Sequence, residues 1–423
     1  MLVVQKYGGS SLQSVDRVKV VAERVRATRL DGHDVVVVCS AMGDTSDDLI
    51  DLARQVSGAP PEREMDMLLS TGERVSCALL AMALDALGVP SRSFSGTQAG
   101  VATDAVHGGA RITSVTPARL REALDLGTVP LVAGFQGVCP DTQDVTTLGR
   151  GGSDVTAVAL AAGLKADVCE IYTDVDGVFT ADPRVVSGAG LLDRLDYEET
   201  LELAACGAKV LMARCVEYAR RHGVELHVRS SYTDRPGTFI TDLPRTGSAR
   251  SMKMEQSSAT GVAHDPSIAR ITVELGGDRA QAAADVFEVL ADDGIAVDMV
   301  LQNLQGPFGA KVTFTVAEDR APRAVGVLHE HRARIGFHDL NCDTGAGKVS
   351  VVGCGLRSEP AALASFCRAL DRAGIGIEFL ASSELRITGI CRAARLDDAV
   401  RALHHAFALD SDARAVVYAG TGR

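Results

Sequence analysis

The sequence predicts an α/β protein: a mainly parallel sheet sandwiched by helices, followed by two ferredoxin-like βαββαβ units. Three observations carry this. Residues 1–235 alternate short β-branched runs with helical spacing, and such alternation builds parallel sheets covered on both faces. Residues 35–39, Val-Val-Val-Val-Cys, are apolar at consecutive positions, as a strand buried on both sides must be. The stretch 270–300 recurs as 348–380, with Gly294 returning as Gly374, and Val312-Thr313-Phe314-Thr315-Val316 recurs as Ile387-Thr388-Gly389-Ile390-Cys391. Such an internal repeat marks a duplicated small unit.

In chain order, residues 2–5 read as a strand and 15–30 as a helix with Val18, Val21, Ala22 and Val25 on one face. Strands follow at 35–39, 129–133, 168–172 and 226–228, and helices at 65–87, 155–162 and 209–222. The turn chemistry of Thr233-Asp234-Arg235-Pro236-Gly237 and the polar run after Pro244 mark a connection. The expected domains are 1–240, a linker 241–263, a first repeat 264–345 and a second 346–423. Residues 306–310 lengthen the first repeat's hairpin, and residues 416–419 (Val-Val-Tyr-Ala) offer the second repeat its final strand.

The net charge is −12 and aromatics are 4% with no tryptophan, which disfavours nucleic acid and anionic membranes as partners. No apolar run reads as reaching the roughly 20 residues of a membrane span, and the start reads as no signal peptide, so the expected location is cytoplasmic. The ten cysteines form no C-x-x-C and read as buried free thiols rather than disulfides or a zinc site. His329, His331, His404 and His405 read as residues of solvated helix faces, and no metal site is expected.

Neither a P-loop, a protein-kinase signature nor a G-x-G-x-x-G after a strand occurs. Instead the first strand ends in Lys6-Tyr7-Gly8-Gly9-Ser10-Ser11 and leads into a helix, while Thr147-Leu148-Gly149-Arg150-Gly151-Gly152-Ser153-Asp154 precedes another. Glycine N–H groups at a helix start, beside a lysine or arginine, suit phosphate binding; ordinary N-capping by Ser153 or Asp154 is the competing reading. The loop from Thr173-Asp174-Val175-Asp176-Gly177 to Asp182-Pro183-Arg184 reads, by spacing alone, equally well as a plain acidic turn.

These segments, with Gly207-Ala208-Lys209-Val210, closely resemble the aspartokinases of the amino acid kinase superfamily, and the tandem repeat resembles that family's paired ACT domains. The resemblance covers essentially the whole chain and implies no fused homoserine dehydrogenase. It implies ATP-dependent phosphorylation of the L-aspartate side-chain carboxylate with Mg²⁺, the first step of the aspartate-derived amino acid pathway. Lys6, Asp154 and Lys209 would be catalytic. Lys6, Tyr7, Gly8, Gly9, Thr173, Asp174, Phe179, Asp182, Arg184 and Lys209 would hold the nucleotide. Ser40, Thr45, Glu73, Arg150, Gly151, Gly152 and Ser153 would hold aspartate, with Glu73 on its ammonium and Arg150 on its α-carboxylate. Without the resemblance, Glu73 reads as a helix-surface glutamate and Ser40 as a strand-end cap.

The effector site implied by the resemblance is altered. Asp278, Val297, Asp298, Gln302 and Asn303 occupy its positions, but Gln281 stands where the family has a glycine and Ala296 replaces its asparagine. Weak or absent inhibition by lysine and threonine is therefore expected. A homo-oligomer through the ACT units is implied, with a separate regulatory chain starting at Met254 as in some relatives. The rival readings are a kinase for a related amino acid carboxylate and a non-catalytic amino acid sensor on a kinase fold.

Overall fold

Val35, Val36, Val37, Val38 and Cys39 have no exposure on either face, which only a strand covered on both sides satisfies. In the computed structural model, which describes all residues except 209, 243–258, 276–279, 307–308, 412–414 and 419–423, the strand Asp34–Cys39 lies parallel to Leu2–Tyr7 and to Val129–Ala133. Leu2–Tyr7 pairs on its other side, again in parallel, with Val168–Thr173. The eight-stranded sheet is parallel throughout its described pairings except where Leu226–Ser230 meets Thr238–Ile240. The chain winds away from Leu2–Tyr7 in both directions, so a switch point falls at this strand's carboxyl end, where open parallel sheets bind ligands.

Helices Val15–Leu30 and Glu62–Ala86 pack on the face carrying Tyr7, Val35, Val37, Cys39 and Leu131. Helix Gly152–Leu164 covers the other face and is itself buried nearly all round beneath Ala213–His222. Several elements were not read from the sequence: helices Thr45–Val56 and Ala118–Asp125, and a four-stranded side sheet whose strands, such as Val101–Thr103 and Gln136–Val138, are too short to show a period. Helix Glu62–Ala86 is long and apolar enough to cross a membrane by composition, contrary to expectation. It nevertheless turns buried polar residues inward: Asp66, Ser70, Glu73 and Ser76.

The chain divides into two units, one made of Met1–Ala205, Lys209–Met254 and Ser411–Arg423, the other of Cys206–Ala208 and Glu255–Asp410. The second holds one six-stranded sheet, antiparallel in all its described pairings. Two long strands, Gly261–Leu275 and Phe337–Val352, run through both repeats. Their halves pair differently: Ile268 to Leu275 face Ala346 to Phe337 in the first repeat, while Gly261 to Asp265 face Val352 to Lys348 in the second. Helices Ala280–Asp292 and Ala321–Glu330 close the first repeat, Pro360–Arg372 and Leu396–Ala406 the second.

This corrects the expected role of residues 416–419. The slot for the second repeat's last strand is filled from upstream by Gly261 to Asp265, where Val262 and Ala263 are buried, and described residues from Ser411 onward cluster with the first unit instead. The strand also begins inside the stretch 241–263 read as linker, most of which, with Met254, lies outside the described residues. His404 is buried and its Nδ1 sits 3.2 Å from Asp410, so it is no solvated-face residue. None of the ten cysteines is in a disulfide, but Cys342 and Cys354 are exposed and Cys367 is half-buried rather than buried.

Because Val262 is only 2% exposed, Val262→Asp places an unpaired charge in the second unit's core and should cost about 3 kcal/mol or more. The readout is the urea midpoint of that unit, and an unchanged midpoint would show that this strand adds nothing to its stability.

Candidate active site

Strand alternation sends Lys6 to one face of Leu2–Tyr7 and Gln5 and Tyr7 to the other. Below Lys6 the Tyr7 and Tyr172 rings stack at 4.7 Å, and a buried carboxylate, Glu170, accepts from Gln5 Nε2 at 2.8 Å, the Tyr172 hydroxyl at 3.0 Å and Arg229 at 3.1 Å. Burial alone would raise the Glu170 pKa, but hydrogen bonds from His227 and Gln5 and the Arg229 charge outweigh it and hold the group down at about 2. The strands Leu2–Tyr7, Val168–Thr173 and Leu226–Ser230 are thereby tied together by side chains as well as by backbone.

Above them opens a cleft of about 620 Å³, lined by Lys6, Ser40, Glu73, Arg150, Asp154 and the Gly149–Ser153 turn among others. Lys6 Nζ lies 2.6 Å from Asp154 Oδ1, with both side chains about one-tenth exposed. Gly151 is the N-cap of helix Gly152–Leu164 at φ +69°, and no side chain caps it. A Cβ there would sit 2.2 Å from Met212 Cγ, so both conformation and space require glycine. Capping by Ser153 or Asp154 is thus replaced by an open helix start beside Lys6 and the exposed Arg150, an arrangement suited to anions.

Glu73 reaches the cleft from helix Glu62–Ala86. Its neighbour Gly72 lets that helix approach the second strand's end: a Cβ on Gly72 would meet Ala41 Cβ at 2.8 Å. Glu73 Oε1 accepts the Ala41 N–H at 3.3 Å, while Oε2 is buried and has no hydrogen-bond partner among the described residues. Burial pushes its pKa up to about 7, with the Ala41 N–H opposing. Ser40 is held at the strand end by its N–H to the Tyr7 carbonyl, 3.0 Å.

Lys6, Gly9, Ser40, Glu73, Arg150, Gly151, Gly152, Ser153 and Asp154 therefore meet in one cleft. Thr45 does not line it; its hydroxyl donates to the Met42 carbonyl at 2.6 Å, and Ser46 and Asp47 from the same helix face the cleft instead. Tyr7 has no exposure and does not line the cleft: its ring is sealed in the core and its backbone is engaged in the sheet. The Gly8 N–H points to the Tyr172 carbonyl at 3.4 Å. The other predicted nucleotide residues lie on the adjoining loop. There Thr173 donates to Asp174 Oδ1 at 2.9 Å, Asp174 Oδ2 is buried without a described partner, Phe179 is buried, and Arg184 pairs with Asp182 at 2.7 Å.

Lys209, like Asp278 and the Gln281 side chain, lies outside the described residues. Of the remaining effector positions, Asp298 is ion-paired to Lys348 at 2.6 Å, Val297 is half-buried, and Gln302 and Asn303 are exposed on the strand Val300–Gly306.

Asp66 went unread, yet it lines the cleft and is 1% exposed. It accepts from the Thr147 hydroxyl at 2.5 Å and the Gly108 N–H at 3.1 Å, and lies 2.7 Å from His107 Nδ1, holding two loops at the cleft wall. The signal that could have found it is the stripe Asp66, Ser70, Glu73, Cys77, which follows the helical period in an otherwise apolar helix.

Residues 1–230 match the profile of the amino acid kinase family and residues 349–407 that of an ACT domain. The chain belongs to the amino acid kinase family. It is 58% identical to the aspartokinase of Mycolicibacterium smegmatis over the full length of both. It is 38% identical to the crystal structure of aspartate kinase from Synechocystis, covering 98% of this chain and 70% of that one with a TM-score of 0.54. The E. coli aspartokinase III complex with aspartate and ADP shares the fold at a TM-score of 0.80 and 23% identity, covering 96% of this chain and 99% of that one. Within its family the chain groups with the aspartokinases.

Because the folded Glu73 pKa of about 7 exceeds the ordinary carboxylate value, the protonated form is the one folding favours. Its stabilising contribution is complete below the unfolded pKa and is lost as pH rises through about 7. Glu73→Gln should therefore raise the Tm of the ligand-free protein at pH 8, by the equivalent of a few kcal/mol, and leave it nearly unchanged at pH 4.5. A Tm difference independent of pH would contradict the buried, unpaired carboxylate.

Proposed function

We propose that this cleft transfers the γ-phosphoryl group of ATP to the side-chain carboxylate of L-aspartate, giving 4-phospho-L-aspartate and ADP. The protein is an ATP-dependent kinase with a carboxyl acceptor, and we place it in the cytoplasm. The observation that carries the substrate assignment is the buried Glu73 oxygen without a partner opposite an exposed arginine in one cleft. An α-amino acid brings the ammonium and the carboxylate that these two groups lack.

The acceptor carboxylate is already a nucleophile at neutral pH, so no general base is required. The obstacle is bringing one anion onto another, which positioning and charge neutralisation overcome. Lys6, oriented by Asp154 at 2.6 Å, brings a positive charge to the uncapped helix start, where the transferring group would lie. As the carboxylate oxygen bonds to phosphorus, the bridging P–O bond breaks and its electron pair stays on ADP. Lys209 would neutralise the nucleotide phosphates from the other side. Ser40 would orient the reacting carboxylate; Thr173, Asp174 and Arg184 would hold the nucleotide. Among the described residues no three metal-ligating side chains converge, so a Mg²⁺ ion would be held chiefly by the phosphates it accompanies and would spread their charge.

The chain would assemble as a homo-oligomer through its ACT units, with the use of Met254 as an internal start giving a separate regulatory chain. At the effector site a long side chain replaces the glycine and Asp298 is engaged by Lys348. Each lost polar partner is worth about 1–3 kcal/mol, so two together weaken effector binding roughly a hundredfold.

Arg150→Ala should raise the KM for aspartate roughly ten- to a hundredfold while sparing that for ATP. Lys6→Met should instead lower kcat, by about a hundredfold or more, because its charge matters most as the phosphoryl group moves. A hydroxamate assay comparing aspartate with glutamate reads both variants; ADP release that depends on neither amino acid would reject the reading. Millimolar lysine and threonine, singly and together, should leave most of the activity intact, and strong cooperative inhibition would show that the effector pocket is restored by its neighbours.

A further inference from the structure

The residues that the sequence assigned to the second repeat's final strand are engaged elsewhere. Val417 forms an antiparallel bridge with Val175, and the Tyr418 N–H donates to the Asp174 carbonyl at 2.9 Å. The Tyr418 hydroxyl donates to Asp176 Oδ2 at 3.1 Å. Asp176 has no exposure and also accepts from Thr233 at 2.6 Å and Arg235 at 3.1 Å. The approach of this segment is tethered by the Ser411 and Ala415 N–H groups, which donate to the Gly188 and Ser187 carbonyls at 2.8 and 3.2 Å.

The Tyr418 ring stacks on Tyr232, with centroids 5.8 Å apart and planes 13° from parallel. Tyr232 lies under the Arg17 guanidinium at 3.9 Å, and its hydroxyl donates to the Ser10 carbonyl at 2.8 Å. Ser10 belongs to the glycine turn after Lys6. Tyr418 therefore touches the loop that carries Asp174 directly and reaches the glycine turn through one intervening ring. These are the two loops assigned to the nucleotide.

We propose that Tyr418 is a positioning residue for ATP: Val417 and Tyr418 pair with the Asp174–Asp176 loop through one antiparallel bridge and hold it in its nucleotide-binding form. The proposal rests on the reading of Thr173 and Asp174 as nucleotide positions. The loop is fixed largely from outside, Asp176 by Thr233, Arg235 and Tyr418 together, while one carboxylate oxygen of Asp174 is buried and unpartnered among the described residues. When only a fraction of molecules holds the competent form, apparent affinity falls by that fraction. Removing the clamp should therefore act on ATP and not on aspartate, whose groups sit on other elements.

The experiment compares KM for ATP, KM for aspartate and kcat in the full chain for Tyr418→Ala, Tyr418→Phe and Asp174→Asn. Tyr418→Ala should raise the ATP KM about tenfold with the aspartate KM and kcat within roughly twofold of the parent. Tyr418→Phe keeps the stack and the backbone bond and should raise the ATP KM only about threefold. An unchanged ATP KM in Tyr418→Ala overturns the proposal, whether or not Asp174→Asn changes it. Equal effects on both substrates, or a fall in kcat alone, overturn it as well, because a merely structural role predicts them. A raised ATP KM in Tyr418→Ala beside an unchanged one in Asp174→Asn supports the clamp and removes Asp174 from the nucleotide site.

Discussion

The catalytic unit is built around one ion pair, Lys6 with Asp154, held 2.6 Å apart and nearly out of water. Desolvating two charges costs several kcal/mol each, and their attraction offsets this only in a rigid, well-placed geometry. The pair joins the end of the central strand to the first turn of a buried helix, so neither element is free to drift. Beneath it the Glu170 network ties the neighbouring strands together, and a carboxylate held at about 2 remains charged at any physiological pH. Above it Gly151 turns the chain where no other residue fits. What results is a fixed lysine ammonium at the mouth of a helix, held in place without further reorganisation.

Helix Glu62–Ala86 shows how one element serves packing and chemistry together. Its apolar residues join the core against the sheet, while Asp66, Ser70 and Glu73 turn polar atoms inward along a single stripe. Asp66 is fully satisfied by surrounding donors, whereas Glu73 is left with one bare oxygen. The difference separates a residue that shapes the wall from one with an oxygen open to a donor. It also places an energetic penalty in the cleft that, on the proposed reading, an ammonium group would relieve.

The second unit solves its strand problem by lending. Each of its two longest strands passes through both repeats, and the first repeat is inserted in the second. The upstream valine and alanine bury well in the slot, which releases the C-terminal residues from sheet duty. Val417 and Tyr418 pair with Val175 and Asp174 of the first unit's own loop, so these two residues belong structurally to the first unit.

The sequence by itself determined what depends on local pattern. Consecutive valines in a strand, glycine turns ahead of helices, and the recurrence of Gly294 as Gly374 sufficed for the fold class, the repeat and the cleft residues on the two glycine turns, whereas Ser40 and Glu73 were placed only by the resemblance. Strand and helix periods, and the need for glycine at open helix starts, are written over a few neighbouring positions. Tertiary structure decided what depends on partners far apart in the chain. That Asp66 lines the cleft, that Thr45 turns back to Met42, that the Tyr7 ring is sealed in the core and that Gly261 to Asp265 displace residues 416–419 are outcomes of competition for space. The Glu73 carboxyl is the clearest case: as a letter it is a surface glutamate on a helix. Only its burial against Ala41, with one oxygen unpaired, makes it a group tuned near neutrality, because desolvation is a property of the surroundings and not of the residue.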